Sequence, residues 1–85
     1  MRLDKFLKVS RVVKRRTVAN EVCSAGRVSI NGRTAKPGAD VKVGDVLEIS
    51  FGTGQTRVRV LNISETVRKE KASEMYEILF GKEVE

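Results

Sequence analysis

Between Val22 and Gly32 the hydrophobic pattern changes period, with glycine marking both ends of the new segment. Upstream, Val18, Ala19, Val22 and Cys23 recur at helical spacing; downstream, Val28 and Ile30 alternate with Arg27 and Ser29. Gly26 ends the helix, because glycine adopts the left-handed conformation that satisfies the last carbonyls. Asn31-Gly32 is the two-residue signal for a tight hairpin. A helix that feeds directly into a hairpin requires a mixed fold of helices and strands.

The flanking segments extend this reading. Leu3, Phe6, Leu7, Ser10 and Val13 fall on one helical face, which predicts a first helix with a basic opposite face: Asp4, Lys8, Arg11 and Arg15 share a row, with Lys5 beside them. The second helix is predicted to start near Arg16 or Thr17. Lys36-Pro37-Gly38 and Val43-Gly44-Asp45 read as turns. Leu47, Ile49 and Phe51 share one face of a strand, Gly52-Thr53-Gly54 turns the chain, and Val58 and Val60 point inward on the next strand, opposite Arg57 and Arg59. Val67 to Phe80 reads as a C-terminal helix with Ala72, Met75, Tyr76 and Leu79 on one stripe, stopped by Gly81. The expected fold class is therefore α/β (α+β): two N-terminal helices, a small twisted, mainly antiparallel sheet and a C-terminal helix. Eighty-five residues make it a single domain, 1–85.

The charge is unevenly placed. The chain carries +6 overall, but residues 1–36 hold ten basic and two acidic groups, a net +8, while the remainder is −2. Such asymmetry points to one face that meets a polyanion. Several chemistries are excluded by composition. There is no histidine for proton relays, and a single cysteine, Cys23, can form neither an internal disulfide nor a thiolate zinc site. Apolar runs of two or three residues are far shorter than a membrane span of about 20 residues. The expectation is a non-enzymatic, monomeric cytoplasmic protein without cofactor or metal and without a membrane partner.

Arg2, Lys5, Lys8 and Arg11 on the first helix, with the cluster Lys14-Arg15-Arg16 at the start of the second, are the leading candidates for phosphate contact. Arg27, Arg33 and Lys36 around the hairpin extend that surface. Asp4 has two open readings: an ion pair with Lys8 one turn on, or a carboxylate that orients an arginine such as Arg16 toward RNA. Gly52-Thr53-Gly54 lacks the spacing, lysine and helix of a phosphate loop and reads as a turn. Cys23 reads as a small core residue. Only four aromatic residues are present, three of them on expected core faces, so backbone and shape readout of structured RNA fits better than base stacking.

Arg2-Leu3-Asp4-Lys5-Phe6-Leu7, Lys14-Arg15-Arg16-Thr17 and Ala25 to Gly32 together resemble the alpha-L RNA-binding motif, the domain named after small-subunit ribosomal protein four. Lys36-Pro37 and Val43-Gly44-Asp45 continue the resemblance, which covers about residues 1–51 and leaves about 52–85 as an extension. Arg15 stands where many such motifs have a capping Ser or Thr. With no room for a catalytic domain, the chain resembles the stand-alone members, namely the ribosome-associated quality-control group and the fifteen-kilodalton heat-shock group. That resemblance implies binding to rRNA of a large ribosomal subunit that still carries peptidyl-tRNA. It further implies holding that tRNA during template-free alanine tailing by a partner factor. Alternatives are heat-shock recycling of blocked subunits without tailing, or general nucleic-acid binding. The family's RNA-facing positions carry over to Arg2, Lys5, Lys8, Arg11, Arg15 and Arg16, with Asp4 in the same patch.

Overall fold

The computed structural model describes residues 1–13, 16–51, 54–64 and 69–81. Helix α1 (Leu3–Val9) forms where Leu3, Phe6 and Leu7 share a face, and all three are fully buried. It is shorter than its apolar spacing predicts. The two valines beyond its end, Val12 and Val13, are both fully buried, with the Val13 N–H donating to the Leu7 carbonyl at 3.1 Å. The chain leaves the helix at Ser10 and passes through Arg11 in the left-handed region, φ 63°. Arg11 thereby departs from the row of Asp4 and Lys8, while Lys14 and Arg15 lie outside the described residues. The buried Ser10 hydroxyl closes this turn, donating to the Leu7 carbonyl and accepting from the Val12 N–H, each at 3.4 Å.

Helix α2 (Arg16–Ser24) buries Ala19, Val22 and Cys23 against α1 and the sheet. It ends as its glycine predicts. Gly26 (φ 72°) donates to the Cys23 carbonyl at 3.1 Å and Arg27 donates to the Val22 carbonyl at 2.9 Å, the paired bonds of a Schellman closure. Burial pushes the Cys23 thiol up to about 11, and the nearby Asp4 carboxylate acts in the same direction.

Strands β1 (Val28–Ile30) and β2 (Arg33–Thr34) form the predicted hairpin, with Asn31 and Gly32 both at positive φ. Asn31 also ties the hairpin to the next turn: its side-chain oxygen accepts the Val46 N–H at 2.9 Å and its amide donates to Asp45 at 3.1 Å. Strands β3 (Val46–Phe51), β4 (Gly54–Val60) and β5 (Tyr76–Phe80) complete an antiparallel sheet in the order β2-β1-β3-β4-β5. Gly52 and Thr53 lie outside the described residues. Val28, Leu47, Ile49, Val58 and Val60 point from one sheet face into the core under α1 and α2. The opposite face carries Arg57 on Glu48 at 2.9 Å and Arg59 on Glu77 at 3.4 Å, both exposed pairs.

The C-terminal helix expected over 67–80 is absent from the described part of that span. In its place stand a 3-10 helix (Lys69–Met75) and β5 (Tyr76–Phe80), paired antiparallel to β4 with Val60 opposite Tyr76 and Val58 opposite Ile78. The physical reason lies in β4, whose outer edge offers a row of backbone donors and acceptors that Tyr-Glu-Ile-Leu-Phe, a strand-forming segment, can satisfy. Ala72 and Met75, three apart, still share one buried edge, because a 3-10 helix turns once every three residues. Leu79 does not join them and is 39% exposed. Gly81 is not a helix stop; at φ 82° it lies so close to Gln55 that a Cβ there would collide with the Gln55 carbonyl oxygen.

Gly81→Ala is expected to cost about 2 kcal/mol and to lower the thermal midpoint by roughly 8–16 °C; a calorimetric midpoint equal to wild type would contradict this contact. The Cys23 thiol should resist iodoacetamide at pH 8 in the folded protein and react at the rate of a model thiol in denaturant, as read by intact mass.

Candidate nucleic-acid interface

The interface is built on the first four residues. Leu3 donates to the Ala39 carbonyl at 2.8 Å, Asp4 to the Pro37 carbonyl at 3.1 Å, and Val41 to the Met1 carbonyl at 2.8 Å, so the chain ahead of α1 runs along the 37–41 loop. The Met1 ammonium donates to Asp40 at 3.0 Å, and that bond holds the Asp40 carboxyl below its ordinary value. Arg2 is thereby delivered to the start of α1 with its backbone already paired to Asp40.

Asp4 then sets the direction of Arg2. The guanidinium donates from Nε to one carboxylate oxygen at 3.2 Å and from Nη2 to the other at 3.3 Å, a two-pronged contact. Asp4 also accepts the Lys5 N–H at 2.8 Å. The orienting reading of Asp4 thus has Arg2 as its described partner; the side chain of Arg16, the arginine named from the sequence, lies outside the described residues. At 63% exposure for Arg2, the pair adds little stability, about 0.2–1 kcal/mol. Its consequence is positional: it uses two of five guanidinium donors and leaves three for an anion.

Arg2, Lys5 and Lys8 line one wall of a groove of about 760 Å³, with Asp4 and the half-buried Val9. The other wall comes from α2: Thr17, Asn20 and Glu21. None of these three was among the site residues expected from the sequence. Their spacing of i, i+3 and i+4, on the face away from Ala19 and Val22, is the signal that could have found them.

Of the other expected residues, Arg11 is exposed beyond the end of α1. Lys36 is exposed next to Pro37, whose carbonyl receives the Asp4 N–H, and so stands near the start of α1. Arg27, after the α2 closure, and Arg33, on the edge strand β2, are exposed on the hairpin side and do not line the groove. The structure therefore gathers Arg2, Asp4, Lys5 and Lys8 into one site. Lys14, Arg15 and the Arg16 side chain lie outside the described residues.

The S4 domain matches residues 1–47, more than half of the chain. This chain belongs to the S4 domain family. Among its relatives is the RQC P-site tRNA stabilizing factor of Halalkalibacterium halodurans, 59% identical over 78 residues that cover 92% of this chain and 89% of the relative. The heat shock protein 15 homolog of Aeromonas salmonicida is 34% identical over 80 residues, covering 94% of this chain and 58% of that protein. In three dimensions the S4 fold seen here matches heat shock protein 15 of Vibrio cholerae, solved as a trimer, with a TM-score of 0.81 and 30% identity over 92% of this chain and 80% of that one. Two helices and a five-stranded antiparallel sheet are the shared architecture.

The left-handed backbone of Arg11 yields a stability test of this S4 domain. A glycine there relieves a conformational cost of about 1–2 kcal/mol and adds back a smaller loss of chain entropy. Arg11→Gly should leave the thermal midpoint equal to or above wild type, and Arg11→Val should lower it; the reverse order would refute the assignment of that conformation.

Proposed function

We propose that this chain is a monomeric, non-enzymatic RNA-binding factor of ribosome-associated quality control in the cytoplasm. It binds rRNA of large ribosomal subunits carrying peptidyl-tRNA and holds that tRNA in the P site while a partner factor adds alanine to the stalled chain without a template. The observation that carries this reading is the Asp4-held Arg2 beside Lys5 and Lys8, a row of cations aimed outward from one short helix. The names of relatives more than 50% identical supply the ribosomal context.

The mechanism is positional. Arg2, Lys5, Lys8, Arg11 and Lys36 neutralise phosphates of rRNA on one side and tRNA on the other, with Arg27 and Arg33 extending the contact along the hairpin. Bridging the two by a few contacts is enough, because about 1.4 kcal/mol shifts a tRNA between two sites tenfold. Release of counterions from about five phosphates gives a slope of log affinity against log salt of roughly −4. Filter binding to large subunits across a potassium chloride series should show that slope, reduced by about 1 in Arg2→Ala. A slope near zero overturns the reading.

The likeness to heat shock protein 15 chains favours a second reading, recycling of blocked subunits without tailing. Deleting the gene separates the two. Loss of alanine tails on a stalled reporter supports the first; intact tails with accumulated subunit-bound peptidyl-tRNA support the second.

A further inference from the structure

The groove between α1 and α2 is not what a surface that contacts only phosphates would be. Its α1 wall is cationic, but among the described residues none of the α2 side chains that line it carries positive charge: Thr17, Asn20 and Glu21 are hydroxyl, amide and carboxylate. Glu21 is exposed, and no described residue forms a hydrogen bond or ion pair with its carboxylate. Asp4, by contrast, is neutralised by Arg2. The Asn20 side-chain oxygen meets the Ser24 hydroxyl only at 3.5 Å, the outer limit of a hydrogen bond, which leaves its amide N–H groups for the groove. Val9 contributes an apolar surface to the same lining. A uniform phosphate track gains nothing from an unpaired carboxylate, which repels the ligand.

We propose that this groove is a nucleotide subsite that reads one unpaired base: Lys5 and Lys8 hold its phosphate, Val9 lies against the base, and Glu21 and Asn20 bond to the base edge. The inference rests on the RNA-binding reading above and adds base selectivity to it. The volume, about 760 Å³, lies within the roughly 300–1,000 Å³ typical of small-ligand sites. The carboxylate dictates which base is favoured. Its two oxygens accept two parallel N–H donors, and guanine alone among the four presents such a pair, N1–H with the N2 amino group. Uracil places two carbonyls beside its single N–H and is the most repelled.

The test is a set of four RNA hairpins that differ only in one bulged nucleotide, measured by fluorescence anisotropy with wild type, Glu21→Ala, Glu21→Gln and Asn20→Ala. Wild type should bind the bulged-G hairpin about tenfold tighter than the bulged-U hairpin. Glu21→Ala should erase that preference by weakening the G complex, and Asn20→Ala should reduce it. A groove that contacts only phosphates gives the opposite sign: Glu21→Ala and Glu21→Gln would both tighten all four complexes equally, because a repelling charge is gone. That result, or a wild type indifferent to the bulged base, overturns the subsite. Binding of wild type to large-subunit rRNA, measured alongside, reports on the underlying reading: its presence with no base preference refutes the subsite alone, and its absence refutes both.

Discussion

The backbone bonds between residues 1–4 and the 37–41 loop are the constraint on which the rest of the molecule depends. Helix α1 has seven residues, far too few to be stable alone in water. Three bonds, from Leu3 to Ala39, Asp4 to Pro37 and Val41 to Met1, hold its leading end against the sheet side of the domain. They let Leu3, Phe6 and Leu7 reach full burial, and the same bonds aim Arg2. Core and interface are thus positioned by one junction, which joins the start of the chain to a turn some 35 residues later. Asp4 serves both ends of it, through its backbone N–H to the loop and through its carboxylate to Arg2.

Pairing divides the surface into two electrical halves. On the outer face of the sheet, Arg57 and Arg59 are matched by Glu48 and Glu77, so those cations are spent within the protein. On α1, Lys8 and Arg11 have no such match among the described residues, and Asp4 bonds Arg2 in a way that leaves most of the guanidinium donors outward. The excess charge of the first 36 residues therefore becomes a directed feature rather than a diffuse one. Exposed pairs contribute little stability, and their value here is in where they leave charge uncompensated.

The hairpin and the closure of α2 were legible because both depend on local backbone chemistry. Gly26 and Asn31-Gly32 carry their conformations wherever they occur, and the structure uses them as the spacing predicts. Helix α1 was legible in existence but not in length. The expected row through Arg11 fails because the chain turns at Ser10, whose buried hydroxyl donates to the Leu7 carbonyl and accepts the Val12 N–H, and Arg11 then adopts a left-handed backbone. The same limit applies to the groove: Glu21 and Asn20 come to line it only because α1 lies beside α2.

The segment 76–80 shows most plainly where sequence stops and tertiary structure decides. Ala72, Met75, Tyr76 and Leu79 are spaced as a helix would space them, and taken alone the stretch supports that reading. The open edge of β4 supplies hydrogen-bond partners that an isolated segment lacks, and the strand forms there with its bulge beside Arg57. By itself the sequence determined the mixed fold class, the glycine-marked turns, the buried faces of both helices and the basic character of the first half. Only the tertiary structure decided the end of α1, the state of the last strand, the partner of Asp4 and the walls of the groove. The first set depends on residues within a turn of one another; the second depends on which distant surface competes for the same backbone bond or buried volume.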